Sequence, residues 1–473
     1  MSRASKYDVI VIGAGSAGFS AAAAARELGA SVCLIEKEKL GGECPNWACN
    51  PSKALLQAAK VYRQMQNARH FGTIVKGAEF DFTKIMEYRQ DVVETITGGG
   101  EVGERYLKMA KQLEIEIELG TATFINEHTI EVNNQSLTAQ AIVIAAGAVD
   151  FVPQIDGLKP GIFWTFREAV TSERQPKSLA IIGGGPVGCE LATFYGTLGT
   201  RVVLLQSSPY ILNREDEEIA KIAQESIEQH GVEVISNAQI TQIIDGRGGV
   251  YGVKVEDKEG NEQTHAVEQL LVVAGKKSNT KDLGLDRIDV RLDERGSINT
   301  NEEQRTNIKH IFAAGDVDGG MMFTHTAHYE GKIAGHNAAR LALKKRNDIK
   351  KSDQRVVPRV TFVDPEVASV GLTQEQAKKK FKEVLVGRFK VGSLSRAVTE
   401  SKPEGLVKIV AHPKTRKVLG CHIVSVNAGE IVHEAALAIY LGATVDKISS
   451  MIHAYPTYSE ALVGAAGQVE LEA

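Results

Sequence analysis

The chain has 473 residues, a net charge of −4 at pH 7 and 43% hydrophobic residues, which is typical of a globular protein with about three domains. With no long basic run and no apolar stretch near the roughly 20 residues that cross a bilayer, neither nucleic acid nor membrane is an expected partner. The N-terminus lacks a secretory signal pattern, and five irregularly spaced cysteines do not form a secreted disulfide framework, so we expect a cytoplasmic protein, with an organelle matrix as the alternative.

The first elements along the chain, residues 7–36, predict a strand, a glycine-rich turn, an alanine-rich helix and a second strand that ends at Glu36. Gly13, Gly15 and Gly18 have the spacing of a dinucleotide-binding loop. In such a loop the first glycine makes the turn, the second admits a pyrophosphate to the backbone N–H groups, and the third lets helix and strand pack closely. The acid at the strand end is placed to bind a ribose hydroxyl.

The next segment, GGECPNWACNPSK at 41–53, contains two closely spaced cysteines, Cys44 and Cys49. They could form a structural disulfide, half of a metal site or a redox pair. A zinc site needs four ligands, and no second Cys or His pair has a matching spacing, so no metal is predicted. In a regular helix residues i and i+5 lie about 8–9 Å apart, beyond the ~7 Å limit of a disulfide. A bonded pair therefore requires a helix break here, which Pro45 and Pro51 favour.

Residues 178–206 repeat the plan of the first motif, with Gly183, Gly185 and Gly188 in the loop and Gln206 at the strand end. The strand end follows the first glycine by the same number of residues in both motifs. A single glycine motif is weak evidence, but two with matched strand ends predict two nucleotide sites.

The remaining segments lack a glycine loop of this kind. Residues 114–147 alternate apolar and polar side chains and predict a small antiparallel meander. Residues 311–316 predict a strand, followed by a Gly-Gly turn and a helix over about 324–345. From Pro358 onward strands and helices alternate again, which predicts a third domain without a dinucleotide site.

Five motifs occur in one order: GAGSAG, GGECPNWACNPSK, GGGPVGCE, AAGDVDGG and HAYPTYSE. In these motifs, and over essentially its whole length, the chain resembles the FAD-dependent pyridine nucleotide-disulfide oxidoreductases, the family of dihydrolipoamide dehydrogenase, glutathione reductase and mercuric reductase. The resemblance implies an α/β fold with two Rossmann-like domains and a C-terminal α+β dimerisation domain. The implied domains are FAD-binding at 1–150 and 271–345, NAD(P)-binding at 151–270, and dimerisation at 346–473.

The resemblance also assigns the cofactors. It implies FAD on the first glycine loop, with Glu36 at the adenosine ribose and Asp316 at the ribitol or pyrophosphate. The second loop would hold NADPH or NADH beside Gln206 and Ser207. Further implied cofactor contacts are Lys53, Gly42, Gly147 and Gly275.

The choice of nicotinamide nucleotide depends on the end of the second motif. NAD-specific members carry an acid at the position of Gln206, and NADP-specific members place arginines just after it. Here Ser207 and Ser208 follow, and Arg214 lies further on. A neutral glutamine does not repel a 2′-phosphate and two hydroxyls could bond it, so the sequence favours NADPH.

The resemblance gives the two cysteines different roles. Cys49 would lie against the flavin as the charge-transfer thiolate, and Cys44 would attack the substrate disulfide. Lys53 would sit beside the flavin ring with Glu190 as its partner.

The last motif would supply the acid–base step. His453 could take a proton from a thiol, and Glu460 would fix its tautomer. In the family this histidine reaches the disulfide of the other subunit, which implies a homodimer. One departure is Tyr455, because dihydrolipoamide dehydrogenases have a second histidine at that position.

The predicted function is therefore electron transfer from NAD(P)H through FAD and the Cys44–Cys49 disulfide to a small disulfide, or from a dithiol or lipoyl-type protein in reverse. Dihydrolipoamide dehydrogenase is the alternative, weakened by the missing acid at 206. Mercuric reductase is less favoured because LVGAAGQVELEA contains no cysteine pair to receive soft Hg(II). A thiol-independent transhydrogenase or quinone reductase, and a redox-sensing protein with negligible turnover, also remain open.

Overall fold

A computed structural model describes residues 5–246, 248–345 and 347–473. The chain separates into two compact units, each assembled from three segments. The first unit contains the residues up to 54 together with 87–151 and 275–353, and the second contains 55–86, 152–274 and 354–473.

The N-terminal third contains most elements of the first unit and one segment of the second, residues 55–86. In chain order they are β1 (Ser5–Ile12), α1 (Ser16–Glu27), β2 (Val32–Glu36), α2 (Glu43–Trp47), α3 (Cys49–Asn67), α4 (Phe82–Thr97), α5 (Glu104–Gln112), β3 (Glu116–Leu119), β4 (Thr123–Asn126), β5 (Thr129–Val132), β6 (Gln135–Ile144) and β7 (Ala148–Asp150).

The middle of the chain first builds the second unit and then returns to the first. Its elements are α6 (Phe166–Thr171), β8 (Ser178–Ile182), α7 (Pro186–Thr197), β9 (Arg201–Gln206), α8 (Glu217–Glu228), β10 (Val232–Ser236), β11 (Gln239–Asp245), β12 (Tyr251–Glu256), β13 (Glu262–Val267), β14 (Gln269–Val272), β15 (Lys276–Ser278), β16 (Ile311–Ala313) and α9 (Thr324–Ala342).

The C-terminal part belongs to the second unit. It contains β17 (Arg359–Thr361), β18 (Glu366–Gly371), α10 (Gln374–Phe381), β19 (Val384–Lys390), α11 (Ser395–Glu400), β20 (Leu406–Ala411), β21 (Val418–Ser425), α12 (Ala428–Tyr440), α13 (Val445–Ser449), α14 (Glu460–Gly467) and β22 (Glu470–Glu472).

A seven-stranded sheet forms the centre of the first unit, in the order β3-β2-β1-β6-β5-β4, with β16 also paired to β6. Strands β3, β2, β1, β6 and β16 run parallel. The apolar residues of β1, β2, β6 and β16 are buried, as expected for a sheet covered on both faces, whereas Leu119 on the edge strand β3 is exposed. The predicted meander is confirmed for β4–β6, which pair antiparallel. For β3 it was wrong, because this strand pairs parallel with β2 at the sheet edge.

Helices α1 and α9 of the first unit cross at very short range. A Cβ added to Gly331 would lie 2.2 Å from Ala17 O, and one added to Gly335 would lie 2.0 Å from Ala21 O. Only glycine therefore allows α9 to approach the backbone of α1 at these two positions. The contact fixes the start of α9 relative to the first glycine loop.

Three sheets form the second unit. Strands β10-β9-β8-β14 make a parallel sheet that contains the second glycine motif, and β11-β12-β13 make an antiparallel sheet. The C-terminal region forms a six-stranded antiparallel sheet in the order β17-β18-β21-β20-β19-β22. Among the residues that the structure describes, no helix is long and apolar enough to span a membrane.

Candidate active site

The first glycine loop connects β1 to α1 through a backbone that a side chain would obstruct. Gly13 has φ +95°, and a Cβ on Gly18 would lie 1.7 Å from Gly13 O. Gly15 precedes α1, and a Cβ on Gly42 would lie 2.8 Å from Gly15 Cα. The absence of side chains keeps the N-terminus of this 12-residue helix open to an anion.

Glu36 closes this loop at the end of β2. Its Oε2 accepts a hydrogen bond from Ala14 N at 2.8 Å, and its Oε1 accepts one from Glu38 N at 2.9 Å. The carboxylate is only 8% exposed and still has lone pairs for a ribose hydroxyl. Together with the open helix start, this acceptor fits the adenosine end of FAD.

Asp316 follows β16 in the same unit. Burial, and to a lesser extent the charge of Glu43, raises the pKa of Asp316 to about 6. The preceding Gly315 donates its N–H to Glu330 Oε2 at 2.8 Å. Glu330, which is 2% exposed on α9, holds the backbone of this turn, and sequence reasoning missed it.

Gly147 and Gly275 lie at the ends of a two-stranded ribbon formed by β7 and β15. Gly147 O accepts from Asn279 N at 2.9 Å, and Gly275 O accepts from Phe151 N at 2.9 Å. A Cβ on either glycine would meet no atom within 4 Å. Their predicted cofactor contacts remain predictions.

The second glycine loop repeats the geometry of the first. Gly183 has φ +120°, and a Cβ on Gly188 would lie 1.9 Å from Gly183 O. At the end of β9, Gln206 Oε1 accepts from Gly184 N at 2.9 Å. Gly185 precedes α7, as Gly15 precedes α1. The second loop therefore has the same helix start without side chains as the first, and Ser207 is exposed beside it. Its predicted nicotinamide nucleotide contacts stay predictions.

The redox turn, which we define as residues 43–49, departs from helix geometry as predicted. Helix α2 ends at Trp47, Ala48 has φ −126° and ψ −94°, and α3 begins at Cys49. This break removes the helical separation that would keep Cys44 and Cys49 too far apart for a disulfide. The structure holds both as half-buried thiols.

Thr324 and Lys53 act on the cysteine pair. Cys49 Sγ lies 3.5 Å from Thr324 Oγ1, at the first residue of α9. A hydrogen bond with Cys49, followed by burial, raises the pKa of Cys44, whereas Thr324 and the charge of Lys53 oppose this increase.

Lys53 and Glu190 occupy different elements. Lys53 Nζ donates to Ser52 Oγ at 3.4 Å on α3. Glu190 is 3% exposed on α7, and its Oε1 accepts from Phe362 N at 3.0 Å. The predicted pairing of Lys53 with Glu190 stays a prediction.

The predicted pairing of His453 with Glu460 was wrong. His453 Nε2 bonds Glu434 Oε1 on α12 at 2.8 Å, and its Nδ1 lies 3.2 Å from Met451 O. Glu460 Oε2 instead accepts from Thr457 N at 2.9 Å, three residues back in the turn before α14. Glu434 lies 19 residues before His453, and only tertiary packing brings them together.

His453 and Tyr455 differ strongly in exposure. The His453 side chain is only 7% exposed, and both ring nitrogens face acceptor oxygens. Tyr455, two residues later, is 73% exposed, with its hydroxyl 2.8 Å from Ser395 Oγ. Tyr455, not His453, presents a proton-carrying group to the surface.

No group of three or more metal-ligating side chains occurs within the described ranges.

Two family models match the chain. Residues 7–331 match the pyridine nucleotide-disulphide oxidoreductase model, and residues 357–466 match the dimerisation domain of the same family.

Two relatives with different enzyme names have nearly the same sequence identity to the chain. It is 35% identical to a mercuric reductase of Staphylococcus aureus over 96% of this chain and 81% of that protein. It is 34% identical to a dihydrolipoyl dehydrogenase of Thermus scotoductus over 99% of this chain and 98% of that protein.

A solved structure extends the match to the fold. The HOCl-induced flavoprotein disulfide reductase RclA from Escherichia coli superposes with a TM-score of 0.84 at 26% identity, covering 98% of this chain and 99% of RclA. These matches confirm the predicted fold class, the enzyme class, and a flavin and a pyridine nucleotide as cofactors. With both family models matched in order, the chain belongs to the pyridine nucleotide-disulphide oxidoreductase family.

Proposed function

We propose that this protein uses NAD(P)H to reduce a small disulfide through FAD and the Cys44–Cys49 pair. The observation that carries the proposal is the redox turn, in which a helix break at Ala48 sets Cys49 at the start of α3, hydrogen-bonded to Cys44. FAD, when bound, would relay two electrons from the nicotinamide to this pair.

The proposed chemistry balances as follows. One hydride equivalent, two electrons and a proton, breaks the Cys44–Cys49 bond and leaves a thiol and a thiolate. Cys44, once deprotonated, attacks the substrate disulfide and expels one thiol. Cys49 then attacks the Cys44 sulfur, restores the internal disulfide and releases the second thiol. The net reaction consumes one NAD(P)H and one proton for each disulfide reduced.

The test is anaerobic titration of the holoenzyme with NADPH or NADH, followed by steady-state assays with disulfides. Long-wavelength absorbance at two electrons, and turnover that Cys44→Ser lowers on the order of 1000-fold or more, support the proposal. Cys421→Ser is the matched control, because that cysteine is fully buried in the C-terminal core. Turnover that survives Cys44→Ser, or that occurs only with Hg(II), would contradict it.

We assign the acid–base step to the segment around Tyr455. Support comes from its exposure and from the enclosure of His453 against Glu434. The phenol would donate a proton to the departing thiolate, which then leaves as a thiol, whereas His453 would hold the segment in place. Tyr455→Phe should lower kcat and change its pH profile, and His453→Gln should lower stability more than it changes that profile.

We propose NADPH as the preferred nucleotide. The side-chain oxygen of Gln206 accepts a hydrogen bond from Gly184 N, and the side chain carries no charge that would repel a 2′-phosphate. The exposed Ser207 could donate to that phosphate. A kcat/KM for NADH equal to or above that for NADPH would overturn this assignment.

We propose a homodimer in the cytoplasm that contributes to thiol–disulfide balance. Large apolar side chains are exposed on α12, directly after it, and in the segment after α13, as is common at subunit interfaces. They are Leu437 at 58%, Tyr440 at 62%, Leu441 at 70% and Ile452 at 96% exposure. Sedimentation of the holoenzyme tests the assembly, and a monomer at assay concentration would contradict it.

A further inference from the structure

A lysine of the first unit ties the redox turn to the β7–β15 ribbon. Lys276 Nζ lies 3.1 Å from both carboxylate oxygens of Glu43 and 2.9 Å from Asp150 Oδ1. Glu43 begins α2 and directly precedes Cys44. Asp150 and Lys276 are opposite each other across the antiparallel ribbon. One ammonium group therefore joins the cysteine-bearing turn to a separate strand pair.

A third carboxylate responds to the same charges. The pKa of Asp316 is raised to about 6 by burial and then by the charge of Glu43, and Lys276 acts in the opposite direction. Glu43, Asp150 and Asp316 thus share the positive charge of Lys276. This region carries more acid than base before any thiolate forms.

Reduction of the disulfide adds another negative charge to the redox turn, which begins at Glu43 and ends at Cys49. A thiolate is disfavoured by a nearby carboxylate and favoured by a nearby cation. Lys276 and Glu43 are 24% and 37% exposed at their side chains, so solvent screens the pair only in part. In the ion pair the ammonium group of Lys276 offsets the charge that Glu43 brings to the turn.

We propose that Lys276 is a positioning residue whose ion pair with Glu43 holds the redox turn and sets the pH at which the Cys49 thiolate forms after reduction. The inference rests on the proposed function, because it concerns the thiol and thiolate left when the disulfide accepts two electrons and a proton. The sequence motifs assign no role to Lys276 or Glu43. Because the two residues are 233 positions apart, their contact cannot be predicted from local sequence.

The titratable groups that bear on the thiols belong to several elements of this unit. Cys49, Lys53 and Tyr106 of α5 interact with Cys44. Glu43 and Lys276 interact with one another and with Asp150, Asp316 and, through Asp316, Asp318. The experiment therefore changes only the Lys276–Glu43 pair and leaves these other groups intact.

The experiment measures long-wavelength absorbance of the two-electron-reduced, full-length holoenzyme as a function of pH. Lys276→Met should raise the pH midpoint of this band by about one unit, because it leaves Glu43 uncompensated. Glu43→Gln should lower the midpoint by a similar amount, since it leaves the lysine charge in excess. The double variant should return close to the wild-type midpoint, and Lys276→Arg should keep it.

Lys277→Met is the matched control, because Lys277 is the next residue on β15 and is exposed. It should leave the midpoint unchanged. Equal shifts in Lys277→Met and Lys276→Met would overturn the proposal, as would an unchanged midpoint in Glu43→Gln, which decides the question alone if Lys276→Met does not fold. A wild-type protein without the band would refute the proposed function itself, so the two failures are distinguishable.

Discussion

The two glycine loops make the same backbone contact with chemically different side chains. In the first loop Glu36 Oε2 accepts from Ala14 N at 2.8 Å, and in the second Gln206 Oε1 accepts from Gly184 N at 2.9 Å. Because an amide oxygen serves as well as a carboxylate oxygen, closure of the loop requires only an acceptor. The charge at the strand end is therefore available for recognition of the ligand.

The surroundings of the two side chains support this distinction. Glu36 is 8% exposed, and each of its oxygens accepts a backbone N–H, so its charge is held in one orientation. Gln206 is half-buried and is followed by the exposed Ser207. A fixed anion suits the two hydroxyls of an adenosine ribose, whereas a neutral amide beside a hydroxyl tolerates a phosphate on that ribose.

The largest effects should come from the glycines that both loops share. Gly18→Ala would place a Cβ 1.7 Å from Gly13 O, and Gly188→Ala would place one 1.9 Å from Gly183 O. Each helix must then shift away from its loop. We expect Gly18→Ala to weaken retention of FAD on the order of 100-fold, and Gly188→Ala to weaken nicotinamide nucleotide binding by a similar factor with FAD retained.

Bound flavin per chain and nucleotide titration of the flavin-loaded protein measure these two losses separately. Circular dichroism shows whether each variant is folded. If Gly18→Ala retained a full complement of flavin, the comparison of the loops as two independent nucleotide sites would fail.

Glu36→Gln tests whether the first loop needs charge as well as an acceptor. The amide oxygen can still accept from Ala14 N, so the loop should stay closed. Loss of the charged hydrogen bonds to the ribose should weaken FAD binding by about 10- to 100-fold. Equilibrium dialysis of the apoprotein measures the affinity. Glu38→Gln removes the same charge from an exposed neighbour and should leave the affinity unchanged.

The features that local sequence predicted are those that short-range geometry determines. Gly13, Gly18 and Glu36 are placed by one strand, one turn and one helix, and the structure shows them in those positions. The break near Ala48 likewise follows from flanking prolines and from the distance that a disulfide can span.

The contacts that sequence could not predict join distant elements through side chains with several acceptable partners. A shared motif predicts that His453 pairs with Glu460, yet Glu460 accepts from the backbone of its own turn and Glu434 reaches the imidazole from α12. Lys276 could have met any acid on the surface of its unit. Periodicity shows which face of an element is buried, but it does not show which acid approaches which base.

Gln206→Glu should make the second loop resemble the first. The new carboxylate can keep the bond from Gly184 N and would repel a 2′-phosphate, so the ratio of kcat/KM for NADPH to that for NADH should fall about tenfold or more. Gln229→Glu adds the same charge at an exposed position after α8 and should leave the ratio unchanged. An unaltered ratio in Gln206→Glu would mean that position 206 does not contribute to the discrimination between NADPH and NADH.

The two motifs also share a second feature. After the strand that ends each motif, an acidic residue forms an ion pair with a lysine. After β2, Glu43 meets Lys276 in a partly exposed pair beside the redox turn. After β9, Asp216 and Glu218 each lie 2.8 Å from Lys408, whose side chain is 2% exposed. The first pair lies where a thiolate forms, and the second lies between α8 and β20. We therefore expect the second to affect stability and not the thiol chemistry.

Glu218→Gln should show the smallest effect, and its sign follows from the pKa. Hydrogen bonding to Arg388, reinforced by Lys408 and opposed by burial, lowers the pKa of Glu218 to about 2. The folded value lies below the unfolded value near 4.3, so the charge stabilises the fold above about pH 4.5 and this contribution is lost as the pH falls toward 2. Since the side chain is 38% exposed, screening reduces the loss of folding free energy in the variant near pH 7 to the order of 1 kcal/mol.

Urea unfolding should show that deficit near pH 7 and a much smaller one near about pH 2.5. Glu217→Gln removes an acid from a pair that is 61% exposed on both sides and should cost almost nothing at either pH. An equal deficit for Glu218→Gln at both pH values would mean that its contribution is packing, and the contrast between the two acid–lysine pairs would then rest on Asp216 alone.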